Sequence, residues 1–342
     1  MKKFVITLML IICTLTMTAC STPDTALHRN WLSSDAPYLH ETLVYEVTTT
    51  AGTGTGIGEY VTKASNITVT DFSASLIDSL LTLKTVDADQ KSVAPLSGEA
   101  RTALVQTLDE KGGYLLTTTL TFDGADGVDY MESELILDAN YHPLFVYKKL
   151  SIGAEDAAGF NSSKGYVSYE YSAVYTYNAS STLQSYSANV LRRKTATEWE
   201  GFTTTITEFN STLVWDANQV VYLIRSLNMA QDSLSYTYTE PAPLDSSLAP
   251  EFTATFMKQM GVTIASATKD VTPKYGDTTA ISCKTANLGL TNLSVQGKTG
   301  VIYYADAPIE CTFSGMEVEL TYVPVKIEQG DYVFLLDDII LE

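Results

Sequence analysis

Tyrosine is the residue type whose spacing is most informative in this chain. Between positions 166 and 177, Val167, Tyr169, Tyr171, Ala173, Tyr175 and Tyr177 alternate with Glu170, Ser172, Val174 and Thr176. Strand side chains alternate between faces, so the tyrosines share one side. Such a ladder is either an aromatic floor for a sugar or apolar ligand, or cross-strand packing with hydroxyls at the rim. In either case the Glu170 and Ser172 side is expected to be the more exposed. Arg225 is the second candidate, placed among apolar residues beside Tyr222 in a chain with only 21 Lys+Arg. A guanidinium there pairs with a ligand carboxylate or phosphate, or it pins a helix to a sheet through a protein carboxylate. Cys283 and Cys311 are the third, and they form either a disulfide or two buried free thiols.

Other constellations fail on order or spacing. Ser266-Ala267-Thr268-Lys269, Ser187-Ala188-Asn189 and Lys298-Thr299-Gly300 mimic the three motifs of serine β-lactamases. In those enzymes the Ser-x-x-Lys comes first and opens a helix, whereas here it follows the Ser-x-Asn and lies in a strand-like Ser/Thr/Ala stretch. Gly52, Gly54, Gly56 and Gly58 lack dinucleotide spacing and open no helix, so they read as a hairpin or a strand kinked by glycine. His28, His40 and His142 share no ligand spacing, and Asp123, Asp126 and Asp129 do not alternate as a calcium loop requires. Glu198 and Glu200 are the kind of carboxylate pair that 40 acidic residues produce without purpose. No catalytic residue, metal site or cofactor is expected.

The elements that must position these residues are mostly strands. Period-two alternation runs through Leu43–Val47, Glu59–Thr70, Tyr114–Phe122, Glu134–Leu137, Leu144–Leu150, Val301–Tyr304, Val318–Val325 and Tyr332–Leu336. Two helices are expected. One follows Asp216 as N-cap and carries Val220, Leu223, Ile224 and Leu227, and a short one runs from Pro250 to Met260. The fold class is therefore mainly β, a large curved antiparallel sheet, half-barrel or sandwich with one or two short helices. Glu240-Pro241-Ala242-Pro243 suggests a possible subdivision of the 37–342 domain near 240–250.

Residues 1–19 read as an export signal, with Lys2 and Lys3 before an apolar run too short for a comfortable span. Met17-Thr18-Ala19-Cys20 resembles the lipobox of bacterial lipoproteins, with Met17 where Leu is usual. The resemblance implies a diacylglyceryl group on Cys20 and an extracytoplasmic location at the cell membrane, and the Ser, Thr, Pro and Asp-rich stretch that follows makes 20–36 a flexible tether. Trp215-Asp216, Tyr222 to Leu227, Pro308-Ile309 and Val323 to Lys326 resemble an uncharacterised bacterial exported family. More weakly, the strand pattern is similar to curved-sheet lipoprotein carriers. Neither likeness supplies catalytic residues. A net charge of −19 argues against nucleic acid as a partner. The expected function is a non-enzymatic, lipid-anchored binding module for an apolar, acyl or glycan ligand in the cell envelope. A structural or assembly factor acting through protein contacts is the alternative, and an envelope hydrolase ranks last.

Overall fold

The structure, a computed structural model, describes residues 38, 40–49, 56–67, 82–124, 127–151, 168–178, 181–193, 198–207, 214–216, 219–227, 235–241, 257–276, 279–290, 298–330 and 332–342. Cys20, the tether and residues 1–36 lie outside them, as do Tyr166, Val167 and Asp126.

Fourteen strands form one antiparallel sheet. The chain enters at the middle with β1 (His40–Thr49) and β2 (Ile57–Ile67). One arm extends outward as a meander of β5 (Gly113–Gly124), β6 (Gly127–Asp138), β7 (Pro143–Ser151), β8 (Tyr169–Tyr177), β9 (Leu183–Arg193) and β10 (Trp199–Ile206). The other arm begins at the opposite end of the sheet with β11 (Ser235–Pro241). It returns through β12 (Met257–Val271), β13 (Ile281–Leu290), β14 (Lys298–Ala305), β17 (Pro324–Gln329) and β18 (Tyr332–Leu341) to pair with β1. The two ends of the sheet, β10 and β11, are not paired with each other among the described residues, so the sheet is not a closed barrel. Both arms nevertheless feed one core. Leu135, Val146, Ala173 and Ala188 from the first join Val262, Ile264, Ala286, Ile302 and Phe334 from the second. The sheet is therefore strongly curved, with its concave face around that core.

The concave face holds helix α2 (Val220–Ser226), whose Val220, Tyr222, Leu223, Ile224, Arg225 and Ser226 are buried. The convex face of the first arm is covered separately. The hairpin β3 (Lys84–Asp87) and β4 (Ser92–Pro95) and helix α1 (Gly98–Lys111) enclose a second cluster with Leu115, Ile136, Phe145, Tyr147 and Leu191. Gly201 marks how closely the hairpin sits. A Cβ there would lie 2.0 Å from the Ala88 carbonyl oxygen, so only glycine fits.

Several expectations need correction. Helix α1 was not anticipated, although Ser97 precedes it and Leu104 and Leu108 share its buried side at helical spacing. The helix expected over Pro250–Met260 is overturned at its C-terminal part, because Met257–Met260 belong to strand β12 and pair with β11. Ladder hydrogen bonds on the long Met257–Val271 strand override a weak local helical pattern. Val318–Val325 is not one strand. The hairpin of β15 (Ile309–Phe313) and β16 (Met316–Leu320) ends before Tyr322, which has φ 51°, and β17 starts at Pro324. A positive φ at a bulky residue interrupts the extended backbone. Asp216 is not the N-cap of α2, which is Gln219. Of the glycine stretch, Gly52 and Gly54 lie outside the described residues and Gly58 lies on β2, which pairs with β1 as far as Thr48 and Ile57. At Gly58 a Cβ would meet the Thr121 carbonyl oxygen at 2.4 Å.

Candidate functional site

Directly opposed residues of neighbouring strands share a face, so the strand register arranges the concave side chains of the first arm in rows. The α2 end is closed by hydrogen bonds that converge on the helix. The Tyr222 hydroxyl donates to the Thr62 carbonyl at 3.1 Å, and the Tyr304 hydroxyl donates to the Val221 carbonyl at 2.9 Å. The Gln219 side-chain amide donates to the Tyr141 carbonyl at 3.0 Å. Asp216, instead of capping the helix, accepts from the Tyr175 hydroxyl at 3.1 Å. Burial, and then the Asp216 charge, holds the Tyr175 phenol well above its ordinary pKa, so it remains a donor.

Arg225 is the centre of this end. It is 1% exposed, and its partner Glu41 on β1 is fully buried. Nη1 donates to Glu41 Oε1, while Nη2 donates at 3.3 Å to both Glu41 Oε2 and the Thr321 carbonyl oxygen. Burial alone pulls the guanidinium pKa down. The Glu41 carboxylate outweighs it and the net direction is up, so the pair is ionic. Of the two roles open to Arg225, the structure takes the helix-to-sheet pin. No local pattern points to Glu41 as its partner, because the contact joins positions 184 residues apart.

The tyrosine ladder faces the concave side. Tyr171 and Tyr175 are buried with Ala173, and Tyr169 and Tyr177 are half-buried at its two ends. The Tyr169 and Tyr171 rings stack at 6.1 Å between centroids, and Tyr177 lies 5.2 Å from the His142 ring. The opposite side is less exposed than expected. Ser172 is buried because β3 lies over it. Its hydroxyl accepts from the Val86 amide at 2.9 Å. Glu170 is half-buried, accepts from the Tyr147 hydroxyl at 2.9 Å and pairs with Lys149 at 3.7 Å. This convex network continues through Tyr130, whose hydroxyl donates to Glu132 at 2.8 Å, and through Lys84, which pairs with Glu132.

Away from α2 the concave face changes character. One row runs Tyr60, Leu120, Met131, Leu150 and Tyr169 across β2, β5, β6, β7 and β8. Tyr60 is buried, while the other four are half-buried. The adjacent row runs Thr62, Thr118, Ser133, Lys148 and Tyr171. Thr62 and Thr118 share a hydroxyl contact at 3.4 Å, and both hydrogen-bond with Tyr60, whose pKa burial pushes up to about 12. Ser133 is 1% exposed, and its hydroxyl has no hydrogen-bond partner among the described residues. Lys148 is half-buried beside it, likewise without a partner among those residues. Sequence reading missed both. The alternation of β6 and β7 carried a signal, since Ser133 and Lys148 fall on the apolar parity of Leu135 and Val146.

Cys283 and Cys311 are free, buried thiols, not a disulfide. Burial, followed by the Asp270 and Asp306 charges, pushes Cys283 up to about 12, and burial raises Cys311 as well. Neither is primed as a thiolate nucleophile. Ser266 and Lys269, Ser187 and Asn189, and Lys298 and Gly300 lie on β12, β9 and β14, with no helix start at Ser266.

No known protein family matches the chain, and no curated protein matches it. Among solved structures, the chain is similar to the crystal structure of a β-barrel-like protein of a domain of unknown function, DUF1849, from Brucella abortus. The two share 7% identity and a TM-score of 0.36, over 90% of this chain and 99% of that one. The fold assignment stands on the strand ladder of this chain itself.

Proposed function

We propose that this protein is a non-catalytic binding module, tethered to the outer side of a cell membrane through a lipid on Cys20, that takes an apolar or acyl ligand on its concave face. The observation that carries the reading is the row of half-buried Leu120, Met131, Leu150 and Tyr169 on the same concave face that α2 fills elsewhere. Apolar side chains on a concave surface contribute roughly 25 cal/mol for each Å² removed from water by a ligand. The buried thiols of Cys283 and Cys311, with raised pKa, and the commitment of Arg225 to Glu41 fit a binding role. The Met17 to Cys20 sequence supports the anchor, and the net charge of −19 supports a partner other than nucleic acid.

Native mass spectrometry of the protein purified from its own host tests the binding reading. A co-purifying small amphiphile is the expected result. A ligand-free mass, together with no fluorescence gain from an apolar reporter dye, overturns it. For the anchor, metabolic labelling with a fatty-acid analogue is expected to mark the wild type and not Cys20→Ser, and equal label on both refutes it.

A further inference from the structure

We infer that Lys148 and Ser133 receive the head group of a long-chain carboxylate whose hydrocarbon chain lies over Leu120, Met131, Leu150 and Tyr169. The inference rests on the binding reading above and names its ligand class. Ser133 on β6 and Lys148 on β7 are directly opposed, which sets their Cβ atoms about 5 Å apart on one face. The flanking row supplies Met131 opposite Leu150, and Leu150 opposite Tyr169. One ammonium and one hydroxyl therefore border one stretch of half-buried apolar surface.

The pair brings a cation without a carboxylate beside a buried hydroxyl without a partner, both among the described residues. Cations on the convex side of the arm are matched, with Lys149 of β7 on Glu170 and Lys84 of the covering hairpin on Glu132. At the α2 end Arg225 is matched by Glu41. Lys148 has no carboxylate among the described residues, and the adjacent Ser133 hydroxyl, 99% buried, has no acceptor or donor there. A buried hydroxyl without a partner is unfavourable, and native structures rarely keep one without a use. A carboxylate between the two accepts one hydrogen bond from the ammonium and one from the hydroxyl, satisfying both. A monoanionic head matches the single positive charge. The tail then follows the neighbouring row, where Lys148's own methylenes also line the surface.

The test uses the full chain held in phosphatidylcholine nanodiscs, with empty nanodiscs as background. Binding of radiolabelled palmitate is compared with hexadecanol, which has the same length and no charge. Palmitate is expected to bind about 10-fold more tightly, the size of one charge-assisted hydrogen bond. Lys148→Met should bring palmitate down to the hexadecanol level, while Lys148→Arg retains the preference. Lys149→Met, on the convex face, should leave it unchanged. Equal binding of the two probes, with Lys148→Met without effect, overturns the head-group assignment and leaves the apolar reading standing. Binding of neither probe overturns both. An equal loss in Lys149→Met and Lys148→Met would show a general effect of charge and sink the assignment. Unchanged thermal melting of the variants guards against misfolding as the cause.

Discussion

The two ends of the concave face are built from the same strands and finished in opposite ways. At the α2 end the ion pair and two tyrosine hydroxyls have protein partners, while the Ser226 hydroxyl has none among the described residues: Arg225 has Glu41 and Thr321, Tyr175 has Asp216, and Tyr222 has the Thr62 carbonyl. At the Tyr169 end, Lys148 and Ser133 lack one among the described residues, and the apolar side chains beside them are half-buried. Polar groups inside a protein are costly unless paired. The contrast lies chiefly in the cations: Arg225 is matched within the fold and fixes the helix on the sheet, whereas Lys148 has no carboxylate among the described residues.

The largest effect should come from the α2 end. Glu41→Ala leaves Arg225 buried and uncompensated, and it is expected to destabilise the protein by about 3–5 kcal/mol in urea unfolding. The double variant Glu41→Leu with Arg225→Met should be much less damaging than the single change, since replacing both charges by apolar groups removes the desolvation cost as well. If Glu41→Ala costs no more than a surface change, the pin is not a structural centre and the contrast between the two ends collapses.

The tyrosine ladder samples both ends within one strand. Tyr171 is buried in the common core, and Tyr171→Ala should cost about 3–5 kcal/mol. Tyr169, half-buried at the other end, should cost about 1–2 kcal/mol when truncated, because only part of its surface leaves water on folding. Denaturant midpoints of the two variants compare them directly, and equal losses would mean that Tyr169 is as much core as Tyr171. Glu170→Ala should fall in between the surface and core cases, at about 1–2 kcal/mol, because the Tyr147 hydroxyl loses its acceptor. A purely exposed Glu170 would have given almost nothing.

That last difference shows where the sequence was legible. The alternation of Tyr169 to Tyr177 revealed the strand and its tyrosine face, because strand periodicity is local and the burial of one face repeats every second residue. It did not reveal that Ser172 on the other face would be covered, since the covering hairpin comes from Lys84–Pro95 and meets β8 only in three dimensions. The mainly antiparallel sheet and the helix carrying Arg225 were likewise readable from period and apolar spacing. Glu41 was not, because a buried ion pair is visible only once two distant segments are superposed. Lys148 escaped for a further reason. One Lys within Val146-Tyr147-Lys148-Lys149-Leu150 looks like solvated charge, and only the register separates the concave Lys148 from the convex Lys149.

The smallest predicted effect is the sharpest test of the contrast, because it should change sign between the ends. At the α2 end, Tyr222→Phe deletes a hydroxyl that donates to the Thr62 carbonyl, and the ring stays in place. Loss of one neutral hydrogen bond should cost about 1 kcal/mol. At the other end, Ser133→Ala deletes a hydroxyl that is equally buried and has no protein partner. Removing it relieves a polar group kept from water, so the ligand-free protein should gain about 0.5–1 kcal/mol. Addition of palmitate should reverse the order. The wild type then gains stability in proportion to occupancy, and Ser133→Ala gains less because it binds more weakly. Thermal melts of wild type and both variants, with and without palmitate, read all of this in one series. A loss of stability in ligand-free Ser133→Ala similar to that in Tyr222→Phe would mean that the Ser133 hydroxyl is satisfied within the protein, and the two ends would then be finished alike.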